Sequence, residues 1–333
     1  MASRKRPAAA MQPNQEGPSA KTPRKSRPQG LYEQYKGSSI PESRLPRKQG
    51  SAKSLKVIVW NVGGLRSFLE KRSKDLKRLV DKESPSVFGF MEHRLQKGQQ
   101  VAECVEKLSQ LLPDYHIDAH SFHCCEQKKG YSGVVMFWKK SLTSSVKQLK
   151  HEKLEPGSTE GRTVVLELEK MYIVLCYVLN SGDGLGRLSE RLTTFDPNLR
   201  KLLQGLARRK PVALLGDLNV AHQDADIWNL EAPHIPKSAS TTPEERESFG
   251  RLLSAGFVDA FNHQHPEARG AFTYWSVRAG NKKWNRGLRL DYTVVSQKLT
   301  EQQGTRLLDA FHLPHYAPAG DHCPIGATFE QAV

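Results

Sequence analysis

The chain has 333 residues, of which 38% are hydrophobic, and it carries a formal net charge of +15 at pH 7. No apolar run approaches the roughly 20 residues that a membrane-spanning helix needs, and the N-terminus lacks a hydrophobic signal core, so we expect a soluble intracellular protein without a membrane partner. Five cysteines, an odd number without CxxC spacing, argue against a disulfide framework or a zinc site, and the positive charge favours nucleic acid as the partner.

Residues 1–52 are predicted to form a disordered basic tail, because they are rich in Pro, Ser, Gln, Gly, Lys and Arg and show no periodicity that could build a core. Residues 1–50 hold eleven Lys and Arg against three acidic residues, a net charge of +8. Two basic clusters, 4–7 and 21–27, are typical of nuclear-import signals, although such clusters can also serve only to solubilise the chain or to add nonspecific affinity for DNA. We therefore predict a nuclear protein with one folded domain, residues 53–333.

From Lys56 onward, strand and helix patterns alternate, which predicts an α/β domain. The predicted strands are 56–60, 86–91, 133–138, 162–168, 172–178, 211–215, 290–296 and 324–329, and the predicted helices are 66–82, 100–111, 187–208 and 243–255. The last helix has the clearest beginning, with Thr242 as N-cap, Pro243 in the first helical position and two acidic residues in the first turn.

Several predicted strands end on a short polar loop that carries Asn, Asp, Glu or His. The loops are WN at 60–61, FMEH at 90–93, YVLN at 177–180, GDLN at 216–219 and GDH at 320–322. Each loop taken alone has a simpler explanation, because Asn, Asp and Gly are good turn residues. Strand ends are also where a rigid scaffold presents reactive side chains, and five such loops in one chain favour an active site.

These side chains have the chemistry that phosphodiester hydrolysis requires: a base for water, donors for the phosphoryl oxygens and a cation for the leaving oxygen. Glu92 follows an apolar strand and suits a hard divalent cation such as Mg²⁺. Asp217 and Asn219 occupy alternate positions of one strand end, so that both can face the same pocket. The carboxylate can accept the proton of a water molecule, and the amide can donate to a phosphoryl oxygen.

A second group of residues can supply positive charge and further donors. His322 can act as a positive or proton-donating group if a carboxylate orients it, and Asp291 is the candidate for that carboxylate. Asp321 adds an acid beside the imidazole, and Tyr177 and Asn180 add donors. Taken singly, a GDLN or an Asp-His pair is more often a surface turn, so the argument depends on the whole set and its order.

That set resembles the exonuclease III class of abasic-site endonucleases, of the endonuclease/exonuclease/phosphatase superfamily, over about residues 54–330. The motifs that carry the resemblance are, in chain order, WNVGGLR (60–66), FMEHRL (90–95), GYSGV (130–134), EGR (160–162), YVLNSGDGLGRL (177–188), GDLNVAHQDADIWN (216–229), TPEERESFGRLL (242–253), FTYW (272–275), RLDY (289–292) and GDHCPI (320–325). GDLNVAH and DHCPI are the most distinctive, and the animal type of the class is the most similar. The resemblance implies a four-layer α/β sandwich of the DNase I-like kind, with two packed mixed sheets between helices.

The resemblance also implies a function and a role for individual residues. It implies a Mg²⁺-dependent enzyme, with Mn²⁺ as a substitute, that cuts double-stranded DNA 5′ to an abasic site and leaves a 3′-hydroxyl, with 3′-exonuclease or 3′-phosphodiesterase activity in addition. The implied catalytic residues are Tyr177, Asp217, Asn219, Asp291 and His322. The implied metal-site residues are Asn61, Glu92, Asp217, Asn219, Asp321 and His322, and the implied DNA-binding residues are Tyr131, Arg162, Asn180, Tyr274, Trp275 and Leu288.

Five positions depart from the pattern of the animal enzymes. Gly63 replaces an aspartate near the metal, so we expect weaker Mg²⁺ binding with the chemistry retained. His93 is either an additional ligand or a solvent-facing loop residue. Asp183 replaces an arginine that enters the DNA groove, which should lower affinity for DNA. Leu288 replaces a tryptophan of the abasic-sugar pocket, which should alter selectivity, and Ile58 replaces a cysteine linked to redox regulation, so we do not expect that activity.

The sequence therefore favours a monomeric abasic-site endonuclease of base-excision repair, acting with other proteins of that repair. The alternative is a diverged relative that binds nucleic acid with weak or no catalysis, for which Gly63, Asp183 and Leu288 are the reasons. A phosphatase that acts on small phosphoesters is a third, less favoured interpretation, because the basic tail and the motifs around Tyr131 and Arg162 favour DNA.

Overall fold

The computed structural model describes residues 54–155, 157–301, 304–317 and 320–330. The predicted tail with its basic clusters lies outside these residues, so the division of the chain at residues 52 and 53 stays a prediction. Among the described residues, no helix is long and apolar enough to cross a membrane.

The first sheet contains the N-terminal and C-terminal strands of the described chain. Its order is β12-β13-β1-β2-β5-β3, with β4 also paired to β5. The strands are β1 (Ser54–Asn61), β2 (Val87–Met91), β3 (Tyr115–His116), β4 (Phe122–His123), β5 (Val134–Lys139), β12 (Arg306–His312) and β13 (Ile325–Glu330). β1 and β2 run parallel, with Asn61 beside Met91, so the loops that follow these two strands start at the same edge.

The second sheet has the order β10-β11-β9-β8-β7-β6. Its strands are β6 (Val146–Glu152), β7 (Thr163–Leu168), β8 (Tyr172–Tyr177), β9 (Val212–Asp217), β10 (Phe257–Asp259) and β11 (Asp291–Ser296). β8 and β9 are parallel and end together, with Tyr177 beside Asp217. β11 is antiparallel to β9 and begins there, with Asp291 beside Asp217. Three of the predicted site residues therefore lie next to one another by strand register alone.

Helices on the outer faces of the two sheets are α1 (Leu65–Glu83), α2 (Gln99–Leu111), α3 (Leu188–Glu190), α4 (Asp196–Ala207) and α5 (Pro243–Ser254). The short helix α6 (Ala260–Gln264) contacts β11 and β12 and contributes Ala260 and Phe261 to the apolar cluster between the sheets. One π-helical turn, Arg191–Phe195, joins α3 to α4. The predicted start of α5 is confirmed, because the Thr242 side chain accepts from the Glu245 backbone and the Glu245 side chain accepts in return. All eight predicted strands and all four predicted helical regions are present, within a few residues of the predicted ends.

Three apolar layers hold the sandwich together. One cluster lies between the two sheets and contains Val57, Val59, Ile173, Leu215 and Ile325 among others. A second cluster lies between the first sheet and α1 and α2, and a third between the second sheet and α4 and α5. The three clusters separate four layers in the order helix, sheet, sheet and helix. This is the arrangement that the resemblance implies, and the fold prediction is confirmed. Polar strand ends from both sheets face one edge of this sandwich.

Candidate active site

Asp217 lies at the centre of this edge. Its carboxylate, at the end of β9, is 2% exposed and accepts hydrogen bonds from Asn61 Nδ2 (2.9 Å) and from the Asn219 backbone N–H (3.0 Å). Burial raises the pKa of Asp217 to about 7, because the positive His322 only partly offsets the loss of water and the nearby Asp291 adds to it. The strand end thus presents a carboxyl group that can accept a proton near neutral pH.

His322 is held between two carboxylates. Its Nδ1 donates to Asp291 Oδ2 at 2.7 Å, and its Nε2 lies 3.7 Å from Asp217 Oδ2. Burial lowers the pKa of His322, but Asp291 and Asp217 outweigh burial and raise it to about 10. The imidazole is therefore a buried cation, and its orientation is set by the start of β11 and by its backbone carbonyl, which accepts from Trp60 Nε1 at 3.2 Å.

Asn219 presents an amide in a fixed orientation. Its backbone is left-handed, with φ of +49°, a conformation that asparagine adopts more readily than most residues. Its Nδ2 donates to the Val178 carbonyl (2.9 Å), its Oδ1 accepts from Asn180 Nδ2 (2.7 Å), and its own carbonyl accepts from Arg191 (2.7 Å). The second N–H of the Asn219 amide remains available to a phosphoryl oxygen.

The other half of the site follows the strands of the first sheet. Asn61 Oδ1 accepts from the Gly63 backbone N–H at 3.1 Å, while Glu92, at φ +51°, has a side chain that is 15% exposed. Glu92 lies close enough to Tyr177 that burial and the Glu92 carboxylate together raise the pKa of the Tyr177 hydroxyl well above its usual value. Glu92 Oε1 accepts from Arg94 Nη2 at 3.1 Å.

The residues at this edge fit a hard divalent cation. Carboxylate and amide oxygens are the ligands that Mg²⁺ uses in proteins, and one oxygen of the buried Asp291 carboxylate, Oδ1, has no hydrogen-bond partner among the described residues. Atoms of Asp217, Asp291 and His322 lie within 4.8 Å of one another. A protonated imidazole has no lone pair to offer, however, so this arrangement favours Glu92, Asn61 and Asp217 over His322 as ligands.

Arg162 has a different position from the predicted one. Its side chain is 4% exposed, and it donates to Glu160 (2.6 Å), to the Tyr177 carbonyl (3.3 Å) and to the Tyr131 hydroxyl (2.7 Å). With these donors occupied, Arg162 supports Tyr131 and Tyr177 from behind. Arg187, which the sequence analysis did not single out, is more exposed and donates to the same Tyr131 hydroxyl at 3.1 Å. Its place in the quoted GLGRL segment was the signal that could have identified it.

Of the three predicted DNA-binding residues near His322, Tyr274 and Leu288 form a wall beside the site, and Trp275 is not part of it. Tyr274 and Leu288 form a β-bridge, and the Tyr274 ring lies 5.0 Å from the His322 ring. The Trp275 ring is fully buried and donates from Nε1 to Asn285 Oδ1 at 3.0 Å. The prediction that Trp275 contacts DNA is therefore corrected: a bulky apolar ring at this position packs under the wall.

Neither interpretation of His93 is correct. The residue is 1% exposed, its Nδ1 accepts from the Leu95 backbone N–H (3.0 Å), and its Nε2 donates to the His123 carbonyl (3.2 Å). Burial lowers the pKa of His93 to about 3, so the ring is neutral. Both ring nitrogens are engaged, so His93 is not available to a metal and does not face solvent; it supports the backbone that presents Glu92.

Three further positions depart from the pattern of the animal enzymes, namely Gly63, Asp183 and Ile58, and they differ in their exposure. Asp183 is exposed on the loop after Tyr177, and Gly63 adopts φ +59° with no atom within 4 Å of the place where a Cβ would stand. The position of Gly63 can thus hold a larger side chain. Ile58 is fully buried in the layer between β1 and the first helices, so nothing in the structure changes the expectation for that position.

Comparison with known proteins identifies the same scaffold. Residues 58–322 match the model of the Endonuclease/Exonuclease/phosphatase family. The chain is 36% identical to the DNA repair nuclease APEX1 of Danio rerio over 289 residues, covering 86% of this chain and 85% of the relative. It is also 36% identical to an exodeoxyribonuclease of Bacillus subtilis over 271 residues, covering 81% of this chain and 98% of the relative. The crystal structure of an AP endonuclease from Leishmania major superposes with a TM-score of 0.75 at 27% identity, covering 92% of this chain and 96% of that one.

Proposed function

The chain belongs to the endonuclease/exonuclease/phosphatase family, and we propose that it is a Mg²⁺-dependent nuclease of base-excision repair that cuts DNA 5′ to an abasic site and leaves a 3′-hydroxyl. The observation that carries the proposal is the junction of Asp217, Asn219 and the Asp291–His322 pair at one edge of the sandwich. The relatives named as a DNA repair nuclease and as an exodeoxyribonuclease support DNA as the substrate.

Each buried polar residue around Asp217 has a role in hydrolysis. Asp217, with its pKa raised to about 7, takes a proton from the attacking water. The Asn219 amide and the positive His322 stabilise the charge that develops on the phosphoryl oxygens, and Asp291 keeps the imidazole charged and oriented. Tyr177, protonated at neutral pH, donates to the phosphate. A Mg²⁺ ion, or Mn²⁺ in its place, held by Glu92 and Asn61 would supply positive charge for the leaving oxygen.

The wall of Tyr274 and Leu288 supports abasic-site recognition with a broader selectivity. Tyr274 is half-buried against His322, so a sugar without a base can pack beside it close to the site of cleavage. Leu288 is smaller than the tryptophan that it replaces, which leaves more room next to Tyr274. We therefore include 3′-exonuclease or 3′-phosphodiesterase activity in the proposal. Separately, we propose that the protein acts in the nucleus as a monomer, alongside other base-excision repair proteins.

A duplex that carries one abasic-site analogue tests the proposal. Metal-dependent nicking 5′ to the analogue is expected with Mg²⁺ and no nicking with EDTA. Asp217→Asn should lose at least about 10³-fold in single-turnover rate while its unfolding transition stays close to that of the wild type. Binding of the duplex without nicking at any Mg²⁺ concentration would instead support the nucleic-acid binder with lost catalysis.

A further inference from the structure

Arg94 forms an ion pair with the carboxylate that the proposed metal site depends on. Its Nη2 lies 3.1 Å from Glu92 Oε1, and the two side chains are 45% and 15% exposed. Both residues have left-handed backbones, with φ of +58° for Arg94 and +51° for Glu92. The loop therefore adopts an uncommon conformation on either side of His93 and brings a cation and an anion two residues apart into contact.

The two glycines after β1 lie beside this pair. A Cβ on Gly64 would lie 3.9 Å from Arg94 Cδ, so the aliphatic part of Arg94 passes over the glycine backbone. Gly63, on the same turn, carries no carboxylate that could attract the guanidinium elsewhere. Among the described residues, Glu92 is the one carboxylate within ion-pair distance of Arg94.

We propose that Arg94 competes with the divalent cation for Glu92: the guanidinium neutralises Glu92 when no metal is bound, and metal binding displaces it toward the phosphodiester. The inference rests on the proposed function, since it concerns the metal of that same site. Arg94 is then the counter-ion of Glu92 while the site holds no metal, and it binds a phosphate once the metal is bound.

The exposure of the pair makes an exchange feasible. An ion pair with a side chain almost half exposed is screened by water and contributes little to stability, so a dication that gains several oxygen ligands can displace the guanidinium. Two positive charges within a few ångströms repel each other, which lowers metal affinity and drives Arg94 away once the metal is bound. A guanidinium released at the mouth of the site has five donors for the oxygens of a phosphate.

Direct metal binding tests the competition without reference to activity. Mn²⁺ binding is titrated by electron paramagnetic resonance for the wild type, Arg94→Met and the control Lys97→Met. Lys97 lies in the same loop, is 63% exposed and pairs with Glu126, so its replacement removes one charge without touching Glu92. We expect Arg94→Met to bind Mn²⁺ about three- to tenfold more tightly than the wild type and Lys97→Met to be within about twofold of it.

DNA binding tests the second half of the inference, with Ca²⁺ as a divalent cation that allows binding to be measured without turnover. In EDTA, where Glu92 holds the guanidinium, Arg94→Met should bind an abasic-site duplex within about twofold of the wild type. With Ca²⁺, where Arg94 faces the phosphate, the variant should bind at least about threefold more weakly. Thermal unfolding confirms that each variant is folded.

The outcomes separate the inference from the proposed function. Equal Mn²⁺ affinity of Arg94→Met and wild type, or the same gain in Lys97→Met, overturns the competition while metal-dependent incision still stands. A loss of DNA affinity that is equal in EDTA and Ca²⁺ overturns the exchange. Absence of Mn²⁺ binding in all three proteins contradicts both the inference and the metal dependence of the proposed function.

Discussion

The half of the site that β9 and β11 build is buried, and its side chains hydrogen-bond to one another, whereas the half that follows β1 and β2 is more open to solvent. Asp217, Asn219, Asp291 and His322 are each at most 6% exposed. Hydrogen bonds within the group and to strand backbones fix their orientation. In the other half, Gly63, Glu92 and Arg94 all have positive φ, and the Glu92 carboxylate has an exposed cation as its partner.

The difference indicates that the two halves of the site have different roles. Electrostatic stabilisation of a transition state depends on charges and donors that are already in place, because reorganisation during the reaction costs free energy. A metal site that exchanges ions with solvent needs access to solvent and ligands that are not held too tightly. The buried half therefore suits the chemistry on the phosphate, and the open half suits the metal.

Loss of His322 should have the largest effect, because it breaks the buried half. We expect His322→Ala to lower the single-turnover incision rate by at least about 10³-fold, since it removes a charge that acts on the transition state. Because His322 lies in the buried half and not among the proposed metal ligands, a higher Mg²⁺ concentration should not restore the rate. The rate is measured on an abasic-site duplex at several Mg²⁺ concentrations.

Glu92→Gln is the matched contrast to that variant in the open half. Its rate should fall at low Mg²⁺ and recover substantially at high Mg²⁺, because a weaker ligand can be offset by mass action. If high Mg²⁺ restored the incision rate of His322→Ala, or failed to restore that of Glu92→Gln, the different roles of the two halves would be contradicted.

Gly133→Ala should break the support under the open half. A Cβ at Gly133 would overlap the ring of the buried His93, and φ there is +91°. We expect a loss of about 3 kcal/mol or more in the free energy of unfolding, from steric overlap together with backbone strain. Gly130→Ala is the control, because φ is also positive there but no atom lies within 4 Å of its Cβ. It should lose only about 1 kcal/mol in urea unfolding.

Protonation of His312, which ends β12 and stacks on Phe261, should destabilise the fold at acid pH. The ring is 3% exposed, and burial, the Arg289 guanidinium and His265 hold the pKa of His312 well below its usual value. Because the folded-state pKa is lowered, the unfolded chain binds the extra proton first, and stability falls as pH drops below about 6.5. The unfolded pKa of about 6.5 sets an upper bound of about 2 kcal/mol for the contribution of this residue between pH 7 and pH 5.

The measurement for His312 is the slope of unfolding free energy against pH. His312→Gln should have a shallower slope over that interval than the wild type, whatever its absolute stability. An identical slope would show that His312 does not stay neutral in the folded protein.

The fold could be predicted wherever a strand or helix pattern was complete. Buried strands such as β1 and β9 are continuous apolar runs, and α5 begins with a full capping box. Five strands were not predicted: the short strands β3, β4 and β10, and the longer strands β6 and β12. Of the two longer strands, β6 is an edge strand with mostly charged and polar residues, and β12 carries a register irregularity between Leu307 and Asp309. Their strand conformation comes from pairing with β7 and β13, which a local pattern does not show.

The site could be predicted where its residues stand at strand ends, and not where it depends on contacts between loops. Register alone brings Asp217, Tyr177 and Asp291 together. The Arg94–Glu92 pair and the burial of His93 depend on left-handed backbone conformations in the loop after β2, and a run of residues such as EHRL does not specify which side chain turns inward. Predictions for charged loop residues were therefore the weakest.

Gly63→Asp should have the smallest effect, and it acts on the open half alone. The position has φ +59° and space for a side chain, and aspartate tolerates this conformation better than most residues. A new carboxylate beside Asn61 adds negative charge for the cation and a second partner for Arg94, so Mn²⁺ should bind about three- to tenfold more tightly. The control is Gly63→Asn, which has the same shape and backbone demand without the charge. Equal Mn²⁺ affinities of the Asp and Asn variants would show that a carboxylate at position 63 does not reach the metal. In that case the absence of a carboxylate at Gly63 would not be a cause of weak metal binding.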